Sequence, residues 1–124
     1  MKAWVYIIVF IGAFTSCKTE KKLDAESLRT GSFTTYLDDS DAVSTAIRND
    51  SLQIETYNNA VDTFNIRWES NFEYILTKVN PKKGLDSVPF YVKITGIRGN
   101  SYTFRAYYKG SNFKQTGKAV KTKD

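Results

Sequence analysis

From Gly31 onward the chain keeps a two-residue rhythm, broken by turn residues roughly every 8–12 positions. Apolar, aromatic and β-branched side chains at every second position suit strands that bury one face. Phe33, Thr35 and Leu37 alternate with Ser32, Thr34 and Tyr36. Val43, Thr45 and Ile47 alternate with Ser44, Ala46 and Arg48, and Leu52, Ile54 and Thr56 with Gln53, Glu55 and Tyr57. Asn49-Asp50 lies between these runs as a two-residue turn that tolerates positive φ. After Asn58-Asn59, Phe64, Ile66 and Trp68 are followed beyond Glu69-Ser70-Asn71 by Phe72, Tyr74 and Leu76. A longer loop over 80–88 precedes Phe90, Val92 and Ile94, and Gly99-Asn100 leads to Tyr102, Phe104, Ala106 and Tyr108. Lys114 to Lys121 supplies a last strand with a weaker pattern.

These runs predict an all-β domain of about eight short strands. Tight turns make sequential neighbours antiparallel, giving an up-and-down meander closed as a barrel or folded as a sandwich. Closure is favoured because it removes exposed strand edges. The expected inward set is Phe33, Phe64, Trp68, Phe72, Tyr74, Phe90, Tyr102, Phe104 and Tyr108. Glu55 and Glu73 fall on outer faces.

The N-terminus follows another logic. Lys2 precedes the uncharged apolar run Ala3 to Phe14, and Thr15-Ser16-Cys17 closes it with small residues. A basic start, a short apolar core and small residues before a cut describe an export signal. Ala3 to Ser16 is too short for the roughly 20 apolar residues of a spanning helix. Phe14-Thr15-Ser16-Cys17 resembles the lipobox of bacterial lipoproteins, which implies cleavage before Cys17 and a lipid on its sulfur. The expected organisation is a signal peptide over 1–16, an acylated Cys17 with a polar tether over 17–30, and a β domain over 31–124. Lys18 rather than aspartate after the cysteine implies, by the same resemblance, sorting to the outer membrane.

Arg48-Asn49-Asp50-Ser51-Leu52, the run Asp62 to Trp68 and the run Phe72 to Lys78 resemble a family of small bacterial lipoproteins with a lipocalin-like β domain. The resemblance implies that fold, an anchor and no established activity. Some members carry the label of DNA topoisomerase IV. The residues after Ser16 are too few for that enzyme's ATPase, metal and DNA-cleavage domains, and an exported lipoprotein would not meet the chromosome.

Composition narrows the chemistry. Histidine is absent and Cys17 is the single cysteine, which removes histidine-based triads, Cys/His zinc sites and a thiol nucleophile within the domain. The acidic loop Asp38-Asp39-Ser40-Asp41 lacks the glycine and glutamate of a calcium-binding loop, since Ser44 and Asp50 stand at those positions. No spacing suggests a nucleophile with its base. The chain is therefore expected to be no enzyme and to need no metal or other cofactor. Charge is polarised: residues 18–77 carry 6 basic against 11 acidic side chains, and residues 78–124 carry 11 against 2.

The first expectation is an envelope module that binds through its outer surface. Lys93, Arg105, Lys109 and Lys118 would face an envelope protein or an anionic envelope polymer, with no role for nucleic acid. The alternative is a lipocalin-like carrier of a small apolar ligand, held by Phe64, Trp68, Tyr74, Phe90 and Phe104 inside the barrel. Against the carrier stands the expectation that these large side chains fill so narrow a barrel.

Overall fold

The computed structural model describes residues 22–124, and the signal and Cys17 readings lie outside them. Eight strands run β1 (Gly31–Leu37), β2 (Val43–Arg48), β3 (Leu52–Tyr57), β4 (Ala60–Ser70), β5 (Glu73–Lys78), β6 (Phe90–Arg98), β7 (Ser101–Tyr108) and β8 (Gln115–Lys123). Each pairs antiparallel with the next, and β8 returns to β1, so the meander is a closed barrel without a free edge. The last strand starts at Gln115 and runs to Lys123, against the expected Lys114 to Lys121.

Two turns exchange roles relative to the sequence reading. Asn58 and Asn59 have φ of 51° and 68° and join Tyr57 to its partner Ala60, so they form the two-residue left-handed turn. Asn49 has no positive φ. Instead its Oδ1 accepts from the backbone N–H groups of Ser51 and Leu52, closing a longer turn through its side chain.

The inward face is largely the aromatic one. Phe33, Tyr74, Tyr102 and Phe104 are buried, with Ile66, Leu76, Val92 and Ile94 among them. Phe72 departs from the expected set: it sits in the β4–β5 turn and is 43% exposed. Gly117 lets β8 and β1 close around this core, because a Cβ there would collide with the Tyr36 carbonyl and the Phe104 ring.

The β2–β3 hairpin inverts its own hydrophobic pattern. Val43, Ile47 and Ile54 point outward, while Arg48 and Gln53 are buried and Glu55 is half-buried. Cross-strand partners share a face of the sheet. Phe64 on the inner face of β4 opposes Gln53, which opposes Arg48. Phe33 on the inner face of β1 opposes Ala46, which opposes Glu55. The registers on both sides thus decide the hairpin's phase and override its apolar periodicity. Glu55 moves from the expected outer face to the interior.

Residues 22–30 also differ from a free tether. Leu23 and Leu28 are part of the hydrophobic core, and Leu28 is fully buried. Leu23 N–H donates to the Gly99 carbonyl at 2.9 Å, and Lys121 Nζ donates to the Ser27 carbonyl at 2.7 Å. A single turn, closed by Leu28 N–H to the Asp24 carbonyl and by reciprocal Asp24–Ser27 bonds, carries both leucines into one end of the barrel. This segment is a plug.

Candidate functional site

The plug divides the interior unequally. At its end, Leu28, Phe33, Tyr102 and Trp68 pack together, with Arg29 over the Trp68 ring at 4.9 Å. At the other end, lined by the β5–β6 and β7–β8 loops, a cavity of about 530 Å³ enters the barrel. That volume falls in the range of small-molecule sites. Phe64, Leu76, Phe90, Val92 and Phe104 form apolar walls, and Leu85 and Phe113 stand exposed at the rim.

The floor is polar. Arg48 is 4% exposed, and its guanidinium lies 4.2 Å from the Phe33 ring centroid and 4.9 Å from that of Tyr74. Its Nε donates to Gln53 Oε1 at 2.9 Å and its Nη1 to the Leu28 carbonyl at 2.7 Å. Nη2 donates to the Tyr74 hydroxyl at 3.2 Å and the Tyr102 hydroxyl at 3.0 Å, and the two hydroxyls lie 3.0 Å apart. Arg48 therefore joins the plug, β2, β3, β5 and β7. Burial opposes its charge, but Tyr74 and Tyr102 more than offset that, and its pKa rises above the ordinary value. Burial, reinforced by Tyr102, raises the Tyr74 hydroxyl well above the usual phenol range, so it stays protonated.

Acidic groups lie on the cavity wall. Glu55 and Asp62 are cross-strand partners facing inward. Asp62 is neutralised by Lys78, whose Nζ lies 3.3 Å away and also reaches Asp86 at 3.5 Å. The bond to Asp62 is the main cause that raises Lys78. Asp86 is held below the ordinary carboxylate value by the backbone N–H groups of Lys82 and Lys83, which ties the short 3-10 turn Gly84–Ser87 to the mouth. Glu55 makes no ion pair among the described residues. Burial raises its carboxyl above the ordinary value, with Asp62 adding and Arg48 subtracting.

Of the expected ligand contacts, Phe64, Tyr74, Phe90 and Phe104 line the cavity. Trp68 does not: it packs against Tyr74 on the plug side, with ring centroids 4.7 Å apart. Its Nε1 is the one buried side-chain polar atom among the described residues without a hydrogen-bond partner. The sequence reading leaves Arg48 and Gln53 out of the inward set and puts Glu55 on an outer face, so it misses all three. The available signal was register, which links them to Phe33 and Phe64.

On the outside, Lys93 faces Arg105 across β6–β7, and Lys118 lies on β8 two residues from Arg105's partner Thr116. Lys109 is separate, in a shallow groove with Arg67, Ile75, Pro89 and Tyr91. Tyr91 and Tyr107 stack at 5.6 Å, and Lys114 Nζ lies 4.6 Å from the Tyr107 centroid. The four lysines and arginines thus share the β6–β8 side without forming one cluster.

Comparison of the chain with protein-family models, curated proteins and solved structures finds no match.

Proposed function

We propose that this protein is a non-enzymatic carrier of a small, mainly apolar molecule held inside the barrel. The observation that carries this reading is the cavity of about 530 Å³, walled by Phe64, Leu76, Phe90 and Phe104 and open beside Leu85 and Phe113. Phe64 and Phe90 pack against the core yet stay only half-buried, leaving part of each ring to the cavity where a core required only for stability would be close-packed. Native mass spectrometry of the gently purified full-length protein tests the reading. A discrete added mass, lost on denaturation, is expected. A bare chain that also fails to take up any apolar probe overturns it.

The N-terminal pattern supports an exported carrier tied to the bacterial envelope, at the outer membrane, through a lipid on Cys17. Replacing Cys17 by alanine is expected to abolish fatty-acid labelling and release the protein from membranes. Undiminished labelling and retention would sink the anchor. The outer surface supports a second reading. The Lys93–Arg105 pair and the Lys114-capped tyrosine stack suit an anionic envelope polymer or an acidic protein. Such binding should weaken as salt rises, and salt-independent binding would exclude these residues as its source.

A further inference from the structure

We propose that Arg48, with Gln53, Tyr74 and Tyr102, is a receptor for an acidic head group, so that the ligand is an amphiphile whose carboxylate reaches the cavity floor while its apolar body lies along the aromatic wall. This rests on the carrier reading and specifies its ligand.

The argument is an inventory of hydrogens. A guanidinium carries five N–H groups and accepts nothing. Four are spent, on Gln53 Oε1, the Leu28 carbonyl and the two tyrosine hydroxyls. One N–H of Nη1 is left over. Tyr74 and Tyr102 hold two hydroxyl hydrogens between them, and their mutual bond uses one. The other is left over too. Gln53 gives its carbonyl to Arg48, which leaves its amide N–H groups over as well. These unspent hydrogens surround a buried cation that has no ion pair among the described residues. These four side chains all line the cavity. A carboxylate would accept these hydrogens and pair directly with the guanidinium, and charge-assisted bonds are the strong class in such surroundings. Phe64, Phe90 and Phe104 then take the apolar body, with Leu85 and Phe113 at the exit.

Glu55 stands on the same wall and would repel an ionised head. It makes the site discriminating: the head must sit beyond Glu55, against Arg48.

The test is calorimetric titration of the full-length protein with dodecanoic acid, dodecan-1-ol and dodecylamine. The acid is expected to bind roughly tenfold or more tighter than the alcohol. Glu55→Gln should strengthen acid binding, and Arg48→Gln should erase the preference for the acid. Because Arg48→Gln risks the fold, a second measurement uses the unmodified protein. The carboxyl of 13C-labelled dodecanoic acid, followed by NMR, should titrate about one pH unit or more below the free acid. Equal binding of acid and alcohol, with an unshifted carboxyl, overturns the head-group assignment and leaves the carrier. Preference for the amine overturns it in favour of Glu55. No binding of any of the three, together with a bare chain in native mass spectrometry, overturns the carrier as well.

Discussion

The two ends of this barrel are made from the same strands and the same kinds of side chain, yet one is a packed core and a cavity enters the other. At the plugged end, Leu28 and Phe33 are almost wholly inaccessible and Arg48 is held by four neighbours. At the open end, Phe64, Phe90 and Tyr108 are only half-buried and face a cavity. The difference comes from the segment 22–30, which lies outside the sheet. Without Leu23 and Leu28 the barrel would be open at both ends, with Arg48 short of the Leu28 carbonyl. An antiparallel barrel closes its edges through backbone pairing but closes its ends only with loops or inserted chain.

The contrast predicts unequal costs for equal truncations. Phe33→Ala should destabilise the fold by about 4 kcal/mol in urea unfolding, because it adds a void to a packed region. Phe90→Ala should cost only about 1.5 kcal/mol, since its ring already borders empty space and chiefly the transfer contribution is lost. Similar losses at both sites would break the contrast. Leu28→Ala is the next largest, at about 3 kcal/mol, and hydrogen exchange should then quicken at the Leu23 and Lys121 amides more than at the mouth. Unchanged stability of the Leu28→Ala variant would mean that the plug contributes nothing to the core.

Smaller effects sharpen the polar floor. Tyr102→Phe removes an acceptor from Arg48 and should cost about 2 kcal/mol, visible as a lower urea midpoint at unchanged slope. Glu55 gives the smallest effect and a sign. Folding raises its carboxyl above the ordinary 4.5. The folded state therefore binds the proton more tightly than the unfolded one. The stability this proton provides is fully present below pH 4.5 and is lost as pH rises through the raised value. Glu55→Gln should remove that decline and leave the variant the more stable protein at neutral pH. A pH profile unchanged by the substitution would show that Glu55 is well solvated.

The strand order was plain in the sequence, since alternation at Phe64, Ile66 and Trp68 and again at Tyr102, Phe104 and Ala106 survives unchanged in the structure. The apolar walls were readable for the same reason. The polar floor was not. Ile47 and Ile54 look like core residues and are 61% and 38% exposed, whereas Arg48 and Gln53 look like surface and are buried. A hairpin read alone offers two phases, and its own hydrophobicity favours the other one. Only pairing with β1 and β4 selects the phase found here.

The sequence by itself thus determined an antiparallel meander, because local period and turn chemistry are properties of neighbouring residues. It also set the absence of histidine and the lone cysteine that bound its chemistry. Tertiary structure alone decided that Leu23 and Leu28 seal one end, that Arg48 is buried among Gln53, Tyr74 and Tyr102, and that a cavity enters the other end. These depend on contacts between residues far apart in the chain: Arg48 with Tyr102, Lys121 with Ser27, Gly117 with Tyr36. No local pattern encodes such distances. They follow from the registers that closure of the sheet imposes on every strand together.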